Sequence, residues 1–168
     1  TLLHEQNYMA GCANRLLSYC VNRVAVSFPE TKGIKQNKLV LTGYPLRKEF
    51  LDLVEDPYQA TNNRFEILVF GGSQGARKLN EVFLHTIERL GAEEKKEIAV
   101  KHIAGNEGLN QIKLQYERLG IQAEVSAFSE HIEEDYRSAD LIISRSGAGT
   151  VFELIAAGRP AVLFKRHR

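Results

Sequence analysis

Residues 65–76 read FEILVFGGSQGA, an apolar run that passes directly into a glycine-rich turn. Apolar side chains fall on both alternating faces of the run, which favours a strand covered on both sides of a parallel sheet. A glycine-rich turn that opens a helix lets backbone N–H groups and the positive helix end approach an anion. The stretch therefore predicts a strand–turn–helix unit of an α/β domain with a site for a negatively charged ligand.

A second stretch of the same kind occupies residues 141–153 and reads LIISRSGAGTVFE. Its small residues keep the turn clear of side chains, and Glu153 follows one turn into the next helix. Two such turns in one domain indicate a ligand with a diphosphate and further polar groups, and a nucleotide sugar fits. Two alternatives stay open: Glu153 either accepts hydrogen bonds from a ribose diol or offsets the helix dipole, and Ser73 either contacts phosphate or caps its helix.

The second half of the chain alternates strands and helices. Strands are predicted at Phe65–Phe70, Ile98–Ile103, Ala123–Ala127, Asp140–Ser144 and Ala161–Phe164, and helices at about 76–90, 107–119, 130–138 and 148–157. Crossovers of this length require right-handed strand–helix–strand units. The predicted fold class is therefore α/β with a doubly wound parallel sheet.

The first half has a weaker pattern. It predicts a helix over about 9–22, strands at Arg23–Phe28 and Lys38–Thr42, and a short helix over 46–54. The helical periodicity is expected to turn Leu16, Leu17, Cys20 and Val21 toward a core, and the two cysteines, Cys12 and Cys20, are expected to be core fillers. Residues 56–64 are polar and helix-breaking, and they are the best candidate for a linker.

Composition excludes several classes of protein. The chain has 168 residues and a net charge of +1, which gives no indication of nucleic-acid binding. It holds no apolar run of membrane-spanning length. The cysteines lack zinc-ligand spacing, and the sequence has no D-x-D motif. His4-Glu5-Gln6-Asn7 lacks the second histidine of a zinc protease, because Tyr8 stands at that position. We therefore expect no metal and no cofactor.

Five motifs together are more specific than any one of them. They are His4-Glu5-Gln6-Asn7, Gly43-Tyr44-Pro45-Leu46-Arg47, Gly71-Gly72-Ser73-Gln74-Gly75-Ala76, Ser144-Arg145-Ser146-Gly147-Ala148 and Glu153-Leu154-Ile155-Ala156-Ala157-Gly158-Arg159-Pro160. In this order and spacing the chain resembles the MurG family. These are bacterial peptidoglycan enzymes that add N-acetylglucosamine to the undecaprenyl-linked muramyl-pentapeptide.

The resemblance implies a glycosyltransferase B fold with the active site in an interdomain cleft. Residues 1–42 would be the remnant of the acceptor-side domain, 43–64 the linker region, and 65–168 the nucleotide-sugar-binding domain. His4 and Glu5 match catalytic residues of the cleft. From the residues alone, the segment His4-Glu5-Gln6-Asn7 is equally well explained as a polar turn. The remaining matches are predicted to bind substrate: Asn7, Arg47, Ser73, Gln74, Ile132 (to uracil through its main chain), Ala148, Gly149, Thr150, Val151, Phe152 and Glu153.

The resemblance also implies partners and a location. The partners would be UDP-N-acetylglucosamine and the lipid-linked acceptor, at the cytoplasmic face of the bacterial inner membrane, with peripheral membrane contact through the first domain. We expect the chain to be an internal fragment that is inactive alone, since the family's first glycine-rich loop and its sugar-gripping glutamine motif are absent. Lys165 stands where the family usually has proline. The alternatives are a nucleotide-sugar-binding module without catalysis and a sugar-nucleotide epimerase of similar fold.

Overall fold

The computed structural model describes residues 1–55, 64–71 and 77–164. The chain divides into two compact units, Thr1–Arg47 and Lys48–Arg168. The division falls inside the region 43–64 that the sequence predicts as a linker. Most of the polar linker candidate lies outside the described residues, as do Ser73, Gln74 and the basic tail 165–168.

The first unit is built on a three-stranded parallel sheet in the order β1-β2-β3. Its elements are β1 (Leu2–Glu5), α1 (Cys12–Leu17), β2 (Arg23–Val26), a short 3-10 turn (Gln36–Lys38) and β3 (Leu39–Leu41). The central strand β2 is buried from Val24 to Val26. A small core forms around it from Ala10, Val21, Val24, Val26 and Ile34.

The predicted helix over residues 9–22 is too long, and its predicted core face is wrong. Helix α1 ends at Leu17, and the Ser18 hydroxyl donates to the Arg15 carbonyl at 2.7 Å where the chain leaves the helix. Leu16 and Leu17 are 72% and 50% exposed, and both Cys12 and Cys20 are exposed rather than core fillers. Six helical residues are too few for the predicted stripe to cover the sheet, so only Val21 enters the core.

The second unit is built on a five-stranded parallel sheet in the order β6-β5-β4-β7-β8. Its strands are β4 (Phe65–Phe70), β5 (Ile98–Ile103), β6 (Gln122–Ser126), β7 (Leu141–Arg145) and β8 (Ala161–Phe164). Each predicted strand of this half is therefore present within one residue of its expected bounds. The α/β fold class with a parallel sheet is confirmed.

The helices of the second unit are α2 (Lys48–Glu55), α3 (Arg77–Glu88), α4 (Ala92–Glu97), α5 (Leu109–Leu119), α6 (Ile132–Ser138) and α7 (Ala148–Ala157). The sequence did not predict α4, which reads AEEKKE and has no apolar face. Its start is fixed by the Glu94 carboxylate, which accepts a hydrogen bond from Gly91 N at 2.7 Å. Such a cap can start a helix in a segment that has no hydrophobic periodicity.

Helices pack against both faces of the larger sheet at its central strand β4, as in a doubly wound arrangement. Ile67 and Val69 on β4 join the apolar core that Leu79 and Phe83 of α3 and Ile112 of α5 complete. The alternate residue Phe70 faces the other way and packs against Tyr136 of α6, with ring centroids 5.6 Å apart. Strand β4 is thus buried on both sides, which explains its continuous apolar sequence.

A polar network lies inside the core between β5, α3 and α5. His102 is fully buried, its Nε2 is 3.1 Å from Asn80 Oδ1, and its Nδ1 is 2.8 Å from the Tyr116 hydroxyl. Asn80 donates through Nδ2 to the Ala104 carbonyl, so its Oδ1 is the acceptor that faces the imidazole. His102 therefore donates from Nε2 and accepts from Tyr116 at Nδ1, which makes it a neutral imidazole with both nitrogens satisfied.

Candidate functional site

The two glycine-rich turns follow neighbouring strands. Strands β4 and β7 pair in parallel with Phe70 opposite Ser144, so they end at the same edge of the sheet, where Gly71 follows β4 and Ser146 follows β7. The chain continues outward to β5 on one side of this pair and to β8 on the other. Such a reversal of strand order opens a crevice at the carboxyl ends of the strands, where α/β sheets bind ligands.

The second turn presents a helix N-terminus that has a glycine and no side-chain cap at its N-cap position. Gly147 precedes α7, and its carbonyl accepts the first helical hydrogen bond from Val151 N at 3.0 Å. The first N–H groups of a helix have no partner within the helix and are available to an anion. A Cβ on Gly147 would meet only Thr150 Oγ1, at 3.7 Å, and its φ of −78° suits any residue. The fold itself does not require glycine there, whereas a ligand lying against the backbone would.

Glu153 lies in the second turn of α7 and is half-buried. The Tyr136 hydroxyl on α6 donates to its Oε2 at 3.1 Å. The first turn of α7 carries no acidic residue. Because the stabilisation of acids by the helix dipole falls off within the first turn, this position weakens the dipole alternative. The geometry favours a carboxylate held for a ligand.

Helix α6, which carries the predicted uracil contact Ile132 at its first position, is tied to the sheet by an ion pair between a half-buried lysine and a buried aspartate. Lys101 Nζ on β5 lies 2.6 Å from Asp135 Oδ1, and the Ser129 hydroxyl donates to Asp135 Oδ2 at 2.6 Å. Burial by itself would lower the pKa of Lys101, but Asp135 and then Glu124 outweigh that effect and raise it. Lys101 therefore stays charged, and the start of α6 is fixed relative to the sheet.

In the first unit, the Glu5 carboxylate is fully engaged by its own loop. Asn7 donates to Oε1 from both its backbone N and its Nδ2, each at 2.9 Å. Gly11 N and Asn14 Nδ2 donate to Oε2 at 2.9 and 3.0 Å. Burial by itself would raise the pKa of Glu5, but these hydrogen bonds outweigh it and lower the pKa below its ordinary value. The carboxylate thus stays ionised and organises the segment between β1 and α1.

The neighbouring His4 is placed differently. Its Nε2 is 3.4 Å from the Gly43 carbonyl, which makes Nε2 the donor and leaves Nδ1 as the basic nitrogen of the neutral ring. The ring also meets Tyr44 edge to face, with centroids 6.4 Å apart. Arg47 is exposed at the end of this unit.

Sequence reasoning missed two residues of these arrangements. Tyr136 reaches Glu153 from a different helix, and Asn14 reaches Glu5 from nine residues along the chain. Neither belongs to a glycine-rich or charged motif. For Tyr136 the available signal was a tyrosine in the helix just before β7, because a buried tyrosine needs a hydrogen-bond partner.

The described residues also form a sizeable groove elsewhere on the second unit. That groove, of about 910 Å³, lies between α3 and α5 and is lined by both acidic and basic side chains, including Arg77, Glu81 and Glu107. None of the residues that line it belongs to the second glycine-rich turn. We place the site at the turns because the strand topology and the helix N-terminus meet there.

Two further features concern the described part of the chain. There, no three His, Cys, Asp or Glu side chains are arranged to hold a metal ion. No helix in those same residues has the length and hydropathy needed to cross a bilayer.

Comparison with known proteins gives a consistent result. Residues 66–168 match the family described as "Glycosyltransferase family 28 C-terminal domain". The chain is 39% identical over 166 residues to the UDP-N-acetylglucosamine–N-acetylmuramyl-(pentapeptide) pyrophosphoryl-undecaprenol N-acetylglucosamine transferase of Chelativorans sp. (strain BNC1). It is 38% identical over the same length to the enzyme of that name from Mesorhizobium japonicum. These alignments cover 97% of this chain and 44% of each relative, so the chain spans less than half of their length.

A solved structure is similar along nearly the whole chain. The crystal structure of Acinetobacter baumannii MurG superposes with a TM-score of 0.75 at 30% identity and covers 98% of this chain and 45% of that protein. This likeness confirms the predicted glycosyltransferase B type fold, and with the sequence matches it confirms the predicted resemblance.

Proposed function

Since the chain belongs to glycosyltransferase family 28 through its C-terminal domain, we propose that it carries the nucleotide-sugar side of an inverting transferase. The donor is UDP-N-acetylglucosamine, and the acceptor is undecaprenyl-diphospho-N-acetylmuramyl-pentapeptide in peptidoglycan synthesis. The relatives at 38–39% identity are named for this reaction. The reaction takes place at the cytoplasmic face of the inner membrane, and the protein contacts the membrane peripherally.

One observation of the structure carries the proposal. Strands β4 and β7 are adjacent in the sheet, and the turn after β7 opens helix α7, which holds Glu153 in its second turn. A nucleotide sugar offers a diphosphate for the helix N-terminus and a ribose diol for the carboxylate. The main chain of the segment 148–153 and the Ile132 backbone supply the remaining predicted donor contacts. Asn7, Arg47, Ser73 and Gln74 stay predictions from the sequence.

The proposed chemistry is a direct displacement. The acceptor hydroxyl oxygen attacks the anomeric carbon, the bond from that carbon to the UDP oxygen breaks, and UDP leaves with the electron pair. The proton of the hydroxyl passes to a base, and the N-terminus of α7 stabilises the charge on the departing diphosphate. Of the two predicted catalytic residues we favour His4 for the base, because both Glu5 oxygens already accept hydrogen bonds from their loop.

A transfer assay tests the proposal. The intact protein that carries residues 1–168 is given labelled UDP-N-acetylglucosamine with a lipid-linked muramyl-pentapeptide. Label is expected in the lipid fraction, together with release of UDP. Donor binding without transfer would instead favour the binding-module alternative, and acceptor-independent conversion of the sugar nucleotide would favour an epimerase.

Nucleotide choice gives a further prediction. If main-chain groups at Ile132 frame the base, uracil fits and the larger purine is excluded, so ADP should bind at least about tenfold more weakly than UDP. Calorimetric titration of the intact protein with each nucleotide measures the difference. Equal affinities would contradict the assignment of the base contact.

The substitution Glu153→Gln separates the two interpretations of this residue. If Glu153 binds the ribose diol, the glutamine variant should lose about 1–3 kcal/mol of UDP affinity, because hydrogen bonds to a charged acceptor are the strong ones. If Glu153 only offsets the helix dipole, the variant should lose about 0.3–1 kcal/mol of stability, and its UDP affinity should be unchanged. Calorimetry and thermal melting on the same variant decide between them.

The matched control is Glu93→Gln. Glu93 lies in the first turn of α4, is 85% exposed, and pairs with Lys96. Its substitution should show the small stability loss alone, with UDP affinity unchanged.

A further inference from the structure

We infer that Tyr136 is a positioning residue that orients the Glu153 carboxylate toward the ribose diol of a nucleoside diphosphate. The inference rests on the proposed function, since it assumes that Glu153 meets a ribose. Its basis is the hydrogen bond from the Tyr136 hydroxyl to Glu153 Oε2, at 3.1 Å, which joins α6 to α7. This hydrogen bond can orient Glu153 only if the tyrosine itself is held in place.

The Tyr136 ring is fixed by packing. Its side chain is completely buried. Phe50 of α2 meets it edge to face with centroids 5.1 Å apart and planes at 87°, and Phe70 at the end of β4 lies 5.6 Å away. Phe70 immediately precedes the first glycine-rich turn. The ring therefore ties the position of the hydroxyl to the strand that leads into that turn.

The Tyr136 backbone is fixed as well. Helix α7 ends at Ala157 and is capped by Gly158, whose φ of +61° suits glycine, and the next residue, Arg159, turns back toward α6. The buried Arg159 guanidinium donates to the Tyr136 carbonyl at 3.0 Å and to the Arg137 carbonyl at 2.7 Å. Both the ring and the main chain of Tyr136 are thus held.

A fixed donor has a clear effect on a flexible carboxylate. Glutamate has several rotatable bonds, and ordering it during binding would weaken the affinity for the ligand. A hydrogen bond from a rigid phenol orders it beforehand. A carboxylate has about four acceptor positions, and the phenol occupies one of them, at Oε2. Tyr136 acts through Glu153 and makes the diol contact effective.

The test compares two nucleotides on three forms of the intact protein. Calorimetry measures the affinity for UDP and for 2′,3′-dideoxyuridine 5′-diphosphate, which lacks the diol. The forms are the wild type, Tyr136→Phe and the control Tyr116→Phe. Tyr116 is a second buried tyrosine of the same unit, and its hydroxyl bonds His102 at 2.8 Å. Both substitutions delete one buried hydroxyl, but only the first touches Glu153.

We expect the wild type to prefer UDP over the dideoxy nucleotide by about tenfold or more. Tyr136→Phe should reduce that preference to about threefold or less, while Tyr116→Phe should keep it. An unchanged preference in Tyr136→Phe, or an equal loss in both variants, overturns the inference and leaves the proposed function standing. A wild type that does not bind UDP, or binds both nucleotides equally, overturns the proposed function itself.

A second variant keeps the inference testable if Tyr136→Phe does not fold. Arg159→Gln shortens the side chain that holds the Tyr136 carbonyl but leaves the tyrosine hydroxyl in place. The diol preference should fall by about threefold in this variant. An unchanged preference in folded Arg159→Gln contradicts the role of a held tyrosine.

Discussion

Replacing Glu5 by alanine is expected to lower the free energy of unfolding of the first unit by about 3–5 kcal/mol. The substitution removes a buried carboxylate that accepts hydrogen bonds from Asn7, Gly11 and Asn14. Each buried donor left without an acceptor costs about 1–3 kcal/mol, less where water can enter. Chemical denaturation followed by circular dichroism measures the loss. Glu30→Ala, at an exposed glutamate of the same unit, is the control and should change stability by less than about 0.5 kcal/mol.

Glu5→Gln distinguishes a residue that holds the loop from a general base. A glutamine amide has one acceptor oxygen, so its NH2 group would face two donors at the Oε2 position, Gly11 N and Asn14 Nδ2. The holding role therefore predicts a large stability loss for glutamine as well. A catalytic base predicts lost turnover with unchanged stability, and that result would contradict our assignment.

Acidification gives a related but smaller effect at Glu5. Because the pKa of the folded carboxyl is below its ordinary value, its contribution to stability is complete above the pKa of the unfolded chain. The contribution is then lost as the pH falls through the lowered pKa of the folded state. Glu5→Ala should lack this dependence.

The second large effect is a loss of stability in mild acid caused by His102. Burial lowers the pKa of His102 to about 4, from 6.5 in the unfolded chain. Between these values the unfolded state binds the extra proton, so unfolding becomes easier as the pH falls. Each pH unit costs about 1.4 kcal/mol, and the full interval costs about 3 kcal/mol. The stability is complete above pH 6.5 and declines below it.

Denaturant titrations at half-unit intervals from pH 7.5 to pH 4.5 measure this slope. His102→Gln should be less stable at neutral pH but should lack most of the decline with acid. The control His85→Gln, at an exposed histidine of α3, should follow the wild type. A wild type whose stability is flat down to pH 5 would contradict a buried neutral imidazole.

The sequence predicted the larger unit well because its strands are rich in apolar residues and its central strand β4 is buried on both faces from Ile67 to Phe70. Strands β4, β5 and β8 match their predicted bounds, since short runs rich in apolar residues and bounded by polar turns are easy to recognise. The first unit was harder. Strand β1 is four residues long and includes His4 and Glu5, so it lacks such a run. Helix α1 was extended too far because its apolar residues kept a helical spacing beyond the point where the chain turns.

The candidate site also has one part that the sequence could predict and another that it could not. Glycine-rich turns are local in sequence, so their positions at the ends of strands could be predicted. The contacts that hold the polar groups are not local. The bond between Tyr136 and Glu153 depends on how α6 and α7 pack, and the four bonds to Glu5 depend on how the loop after β1 folds back. No spacing rule connects these residues, because the tertiary structure brings them together.

The pairing of β4 with β7 has a consequence for how the second unit folds. Asp140 and Glu66 exchange two hydrogen bonds at the start of these strands, at a separation of 74 residues in the chain. Contacts of such long range are entropically costly to close and are slow to form. The crevice between the two turns should therefore be completed late, after the local strand–helix units have collapsed. In refolding experiments, UDP affinity should then recover more slowly than helical circular dichroism.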